Sequence, residues 1–419
     1  MALKNWWKPT ILVSLLLILH LPAFTQIATT PYSMYGLGTQ AYQGDVYSSA
    51  LGYSAIALSD SIHINTVNPA SFQRDSIDFT FDFAFLGRYD YQKTNVNSSR
   101  NFTSNMDYLM TAFRFTKWWG TSIGLLPYAS CEYSLKFPTY KQGIDTIDHY
   151  LNGTGGTNKF YWANSFYIKN RIAVGITASY LFGYKLTYNS IVLPGGENYF
   201  NTTQKEHLQV GSFYFDFGIQ YHFNLAGFKM ILGAVYAPKQ ELKSKFSVLN
   251  SKAIYIQYNR LDTISYTEDK NYKVDMPEKF GVGLSARKGQ WMVTAEFLTE
   301  KWSNTNWNNE DMQDKTAIHG GVQFSPKHNV LSAYHKKMVY RSGFYVENTN
   351  LLINGTQISK QGITIGATFP LRKRKQSVNL TLDFGKYGTL ANNLIEDYYI
   401  MFRIGMNLHE TWFVKPKIN

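Results

Sequence analysis

Hydrophobic and polar residues alternate along most of this chain. From Asp78 to Phe85 the sequence reads Asp-Phe-Thr-Phe-Asp-Phe-Ala-Phe. In an extended strand, successive side chains point to opposite faces. Four phenylalanines therefore share one face, and Asp78, Thr80, Asp82 and Ala84 share the other. The same period of two runs through 172–182, 213–221, 378–384 and 398–406, always with large apolar residues on one face and small or polar ones on the other. Two folds fit this pattern. A soluble sheet would bury the apolar face and wet the polar one, whereas a membrane barrel would turn the apolar face to lipid and the polar face to its lumen.

The connections favour the barrel. Short ones at 118–120, 169–170, 225–227, 288–289, 326–328 and 372–374 alternate with long ones at 89–105, 138–155, 189–205, 249–276, 303–314 and 348–359. Outer-membrane barrels have tight periplasmic turns and longer outer loops. The intervening segments predict fourteen antiparallel strands: 77–88, 106–117, 121–136, 156–168, 171–188, 206–222, 228–247, 277–287, 290–302, 315–325, 338–347, 360–370, 376–387 and 394–408. The number is even, as closure of a bacterial barrel requires. Residues 254–258 leave room for an extra hairpin above the membrane. The expected fold is all-β, a transmembrane antiparallel β-barrel spanning 77–419.

Two segments precede it. Residues 1–25 have the form of a secretory signal peptide: Lys4 and Lys8, then the apolar run from Ile11 to Leu21, then small residues at Ala23 and Thr25 before Gln26. The run is shorter than the roughly 20 residues of a spanning helix. Residues 26–76 break the alternation. They are rich in Gly, Ser, Ala and Tyr and carry little charge, which predicts a plug folded into the lumen rather than a disordered tail.

Composition adds less. Aromatic residues reach 16%, with 31 Tyr and 28 Phe, and charged residues only 17%, as strands and membrane interfaces favour. The net charge of +12 resides in Lys and Arg at turns and ends, such as Arg372 to Lys375 and Lys415 and Lys417. No basic helix or nucleic-acid motif accompanies it, so no nucleic-acid partner is expected. One cysteine, Cys131, excludes an internal disulfide, and the nine histidines lack ligand spacing. No metal or cofactor is expected.

The plug segment holds Ser49-Ala50-Leu51-Gly52, Ala57 to Ser61 and, just before the first strand, Asn68-Pro69-Ala70. With these motifs and the strand count, the chain resembles the FadL/TodX family of outer-membrane transporters for hydrophobic compounds. Its 155–157 and 175–183 stretches and terminal Trp412-Phe413-Val414-Lys415 are similar to the branch found in Bacteroidota. The resemblance implies an N-terminal hatch, here marked by Gly52, Asn68, Pro69 and Ala70. It also implies a kink in the third strand that opens the wall sideways to lipid. Pro127 is the candidate, because proline has no N–H for a ladder; a simple bulge near the rim is the other reading of that residue.

Alternation turns Asp78, Asp82, Arg114, Asp216, His222, Glu296, His319, Asp383 and Arg403 toward the lumen. They could form a catalytic set, but there is no Gly-x-Ser-x-Gly elbow and no clear Ser-His-Asp grouping, so an enzyme is not expected. Charges inside a membrane barrel more often pair across the interior. The expectation is a monomer in the outer membrane of a Gram-negative bacterium, surrounded by lipid. It would take up a hydrophobic small molecule, fatty acid-like or aromatic, passively through a hatch-gated lumen with lateral exit. The alternative is a barrel that docks a type IX secretion or surface-attachment machine.

Overall fold

The computed structural model describes residues 30–60, 62–72, 78–168, 171–194, 199–253, 262–307, 312–329, 331–371 and 376–411. The leader at 1–25 and the 254–258 hairpin lie outside them.

Alternating residues build a closed wall of fourteen antiparallel strands. They are β1 (Asp78–Lys93), β2 (Ser98–Thr116), β3 (Trp119–Ser130, resuming as Tyr133–Lys141), β4 (Asp145–Ile168) and β5 (Ile172–Val192). Next come β6 (Asn201–Leu225), β7 (Phe228–Ala237, resuming as Gln240–Ala253), β8 (Asp262–Met276, resuming as Lys279–Lys288) and β9 (Trp291–Glu300). The wall ends with β10 (Lys315–Phe324), β11 (Val339–Ile353), β12 (Thr356–Pro370), β13 (Ser377–Gly388) and β14 (Glu396–Thr411). β14 pairs with β1 from Glu396↔Lys93 to Thr411↔Asp78, so the sheet closes. Closure pairs strand with strand around the wall, the condition for crossing hydrocarbon, with an interruption only along the upper β2–β3 seam described below.

The outer face is apolar. On β6, Phe213, Phe215, Phe217, Ile219 and Tyr221 are exposed while Tyr214 and Gln220 between them are buried. On β1, Thr80, Asp82 and Ala84 are buried on the lumen side, as the alternation predicts. Lipid is the environment that stabilises such an exposed band. An arginine at Phe215 should therefore cost about 2–4 kcal/mol, read as a lowered urea midpoint for unfolding from liposomes.

Strand ends depart from expectation. The segments 138–155, 189–205 and 249–276, expected as loops, largely continue β3 to β8, and the expected loop 89–105 shrinks to a turn at 94–97 between β1 and β2. Likewise Asn354 and Gly355 alone turn the chain between β11 and β12. The reason is physical. Above the bilayer both faces are wet, so the pairing continues after the hydrophobic alternation has stopped. On β6 the outward positions change from Phe213 to Gly211, Gln209, His207 and Lys205. β7 and β8 break at Pro238 and Pro277, which cannot donate to a ladder. At the first break the Gln240 amide replaces the backbone: its Oε1 accepts from Phe215 N at 2.8 Å and its Nε2 donates to Phe215 O at 2.9 Å.

Candidate functional site: the lumen, its N-terminal segment and the β2–β3 seam

Residues 30–60 and 62–72 pack against the lumen side of the wall. They contain little regular structure: a 3₁₀ turn at Pro31–Met34, the two-residue strand Thr39–Gln40, one helical turn at Val46–Ser49 and a 3₁₀ turn at Pro69–Ser71. Asp45 caps the helical turn, accepting from Ser48 N at 3.0 Å. Burial pushes its carboxyl above the usual range, opposed by nearby His63 and by the hydrogen bonds from Ser48.

Inward-facing glycines admit this segment to the wall. A Cβ on Gly120 would meet Phe72 O; on Gly175, Pro69 and Ala70; on Gly218, the Asn68 side chain. On Gly233 and Gly283 it would meet Ile56 and Ala57, on Gly321 and Gly343 the Leu51–Gly52 backbone, and on Gly366 the Ala50 side chain. Those glycines lie on β3, β5, β6, β7, β8, β10, β11 and β12. The segment thus lies within contact distance of most of the wall. Gly52 has φ +65°, a conformation that a side chain would strain, and its N–H donates to Thr364 Oγ1 at 2.9 Å.

Asn68 is fully buried. Its Oδ1 accepts from Ala70 N at 3.0 Å, and its Nδ2 donates to Ile56 O at 2.8 Å. Pro69 begins the 3₁₀ turn, and Ala70 O accepts from Ser165 Oγ at 3.0 Å. The Asn-Pro-Ala motif therefore ties the segment to itself and to β4.

The third strand parts from the second. β2–β3 pairing runs only from Thr116↔Trp119 to Leu109↔Leu125, two residues short of Pro127, and on its other edge, against β4, β3 shows a register shift between Pro127 and Ala129. Beyond Leu125 the N-terminal segment pairs with the β3 edge in place of β2. Thr39 and Gln40 pair with Ser130 and Ala129, Ala41 N donates to Tyr128 O at 2.8 Å, and Gln43 Nε2 donates to Pro127 O at 3.1 Å.

Glu296, His319, Asp383 and Arg403 gather around the segment, whereas Asp82 and Asp216 pair with other wall residues. Glu296, on β9, is buried; its Oε2 accepts from Ala55 N at 2.7 Å and Ile56 N at 2.8 Å, and its Oε1 faces His319 Nδ1 at 2.9 Å. His319 Nε2 faces Glu347 at 3.3 Å. Asp383 accepts from the hydroxyls of Tyr53 and Tyr345. Asp82 accepts from Tyr108 and from Asn407, each at 3.2 Å. Arg403 pairs with Asp107 at 3.5 Å and lies 5.4 Å from the ring centroids of Tyr42 and Tyr53. Asp216 receives Lys279 Nζ at 2.6 Å. Two expected residues lie elsewhere. Arg114 binds carbonyls of its own turn, Thr116 and Lys117, because it lies at the end of β2. His222 borders a separate vestibule of about 820 Å³ at the short-turn end. The Asp78 side chain is outside the described residues.

Unpredicted residues complete the interior. A cavity of about 170 Å³ is lined by Tyr42, Tyr53, Tyr128 and Tyr214 among others, together with Lys159 and Lys360. Lys159 is buried with no hydrogen bond or ion pair among the described residues. Lys360 Nζ lies 5.3–5.9 Å from the rings of Tyr53, Tyr345 and Tyr399. Gln40, Ala41 and Tyr42 separate this cavity from a second of about 90 Å³ that Arg88 and Arg403 border. Arg403 was expected to face inward; the convergence of the others on Tyr42 and Tyr53 had no signal in the alternation, since both tyrosines lie in the segment that breaks it.

A closed antiparallel barrel filled by its own N-terminal segment defines the class. Solved structures share this fold. The Ralstonia pickettii toluene transporter TbuX is 12% identical, with a TM-score of 0.59 over 87% of this chain and 98% of that one. The Pseudomonas putida toluene transporter TodX, also 12% identical, scores 0.54 over 90% and 100%. The CymD monoaromatic hydrocarbon channel, again 12% identical, scores 0.55 over 89% and 98%. The sequence itself matches the family described as BamG over residues 8–419, and the chain belongs to that family. No protein of curated function matches it.

Proposed function

We propose that this protein is an outer-membrane channel for small hydrophobic compounds, gated by its N-terminal segment and opening sideways between β2 and β3. The observation that carries the reading is the exchange of partners along β3. β2 leaves that edge after Leu125, and residues 39–43 occupy it instead. Withdrawal of so short a patch of backbone pairing would connect the tyrosine-lined cavity to the bilayer, while the glycine-seated remainder stays docked. TbuX, TodX and CymD, whose printed descriptions concern toluene or monoaromatic hydrocarbons, support the ligand class by likeness of fold. The ligand's apolar body would lie on tyrosine faces, and the paired charges around them would stay paired.

A reversible lock tests this. Thr39 and Ser130 are directly paired, within the Cα separation a disulfide spans. Thr39→Cys with Ser130→Cys, in a Cys131→Ser background, should close uptake of radiolabelled toluene into proteoliposomes when oxidised and restore it on reduction. Undiminished uptake through a fully oxidised lock rules out the gate.

A further inference from the structure

The excess positive charge is not scattered. At the short-turn end, Lys117, Arg171, Lys229, Arg287, Lys288, Lys327 and Lys336 are all exposed. No Asp or Glu occurs anywhere in 113–121, 165–175, 221–232, 283–295 or 320–343, the stretches around these five turns, nor in 366–380, around the sixth connection of that end. The opposite rim is mixed, with Asp145, Asp148, Asp262, Glu268, Asp269, Glu300, Asp314 and Glu396 among its charges. Among the described residues, the acidic ones near the basic end are Asp60, beside the vestibule, and Asp78 and Glu410, at the seam where β1 meets β14.

We infer that this basic ring is a binding surface for anionic phospholipid head groups of the periplasmic leaflet. Three features select lipid over a soluble acidic partner. The cations occur at turn after turn around the barrel, which a surrounding leaflet contacts all at once and a docked protein contacts only along an arc. They adjoin lipid-facing aromatic residues: Lys117 precedes Trp118, which is 55% exposed, Lys288 is paired in register with Trp291, also 55% exposed, and Lys288 Nζ lies 4.6 Å from the Phe228 ring centroid. Aromatic side chains of that kind lie at head-group depth. Several of the turns are only two residues long, as at Ala226–Gly227 and Gly289–Gln290, so their charges stay at the bilayer surface rather than on projecting loops. Basic residues at such a surface attract anionic lipid within a Debye length.

Tryptophan quenching by brominated lipids tests the inference, because Trp118, Trp162 and Trp291 face the bilayer. The full-length mature protein is reconstituted with brominated phosphatidylglycerol or brominated phosphatidylcholine at equal mole fraction. The anionic lipid should show a relative binding constant larger by about fivefold at low salt, falling toward one at ~1 M salt. Replacing Lys117, Lys288, Lys327 and Lys336 together by glutamine should abolish the preference while the barrel keeps its heat-modifiable gel mobility. Equal quenching by both lipids at low salt overturns the inference. So does a lack of preference accompanied by salt-sensitive binding of a fluorescent polyglutamate peptide, which would assign the ring to an acidic protein.

Discussion

Gly343→Ala should free the middle of the N-terminal segment from the wall while leaving the barrel closed. The added Cβ would fall on the backbone of Leu51 and Gly52, with Gly52 Cα 2.7 Å away. Backbone cannot rotate aside as a side chain can. Gly52 is held in turn by its left-handed conformation and its bond to Thr364, so the strain falls on the docking itself. Overpacking of this kind costs about 1–3 kcal/mol, enough to raise the population of undocked segment by about five- to 150-fold. Limited proteolysis in bilayers reads that population directly, because a docked segment is cut only through local opening. Clipping within 40–60 should accelerate, and proteoliposomes should leak small polar dyes. Gly211→Ala is the control: its Cβ would meet only the flexible Tyr180 hydroxyl, at 3.2 Å. Equal clipping rates for the two variants would show that the close approach at Gly343 does not hold the segment.

The contrast between Gly343 and Gly211 explains what the sequence could reveal. Alternation assigns each glycine to a face, and lipid-facing phenylalanines fix that assignment along whole strands. The fourteen-strand barrel and the inward position of Asp82, Glu296, His319 and Asp383 were legible for this reason. Alternation says nothing about which inward residues share a height, because that depends on the stagger between strands. Tyr53 and Asp383, or Ile56 and Gly233, are far apart in the chain and meet only where the N-terminal segment docks on the wall, which alternation does not encode. Arg114 shares the face of buried Tyr108, Met110 and Ala112, but period-two reasoning gives a face and not a depth: a residue at a strand's last turn can bind its own carbonyls. The upper strand ends were lost where the lipid-facing pattern stops. The partner exchange at β3 was foreshadowed by Pro127 alone. That the vacated edge is taken by Thr39–Ala41 required the fold, since the segment has no strand pattern of its own.

Glu296 is expected to be the strongest single side-chain tie between wall and segment. Its carboxylate accepts two consecutive backbone N–H groups, from Ala55 and Ile56, and faces His319, which reaches Glu347 in turn. All of this lies in a buried site where removing one partner strands the others. Truncation as Glu296→Ala leaves two buried N–H groups and one imidazole without their acceptor, a loss of about 3–5 kcal/mol for a buried charged network. Glu296→Gln should lie between alanine and the native residue. Its carbonyl oxygen can still receive both N–H groups, but its amide would turn a donor toward His319. Hydrogen exchange at the Ala55 and Ile56 amides separates the cases. Protection should fall by a factor on the order of 10² or more in the alanine variant, less in the glutamine variant, and little at Asn68 and Ala70, which are held by their own turn and by β4. Unchanged protection at Ala55 and Ile56 in Glu296→Ala would mean that Ile56, packed against Gly233 and Gly281, holds the segment by shape alone. In that case the glycines, not the carboxylate, would set the energy of release.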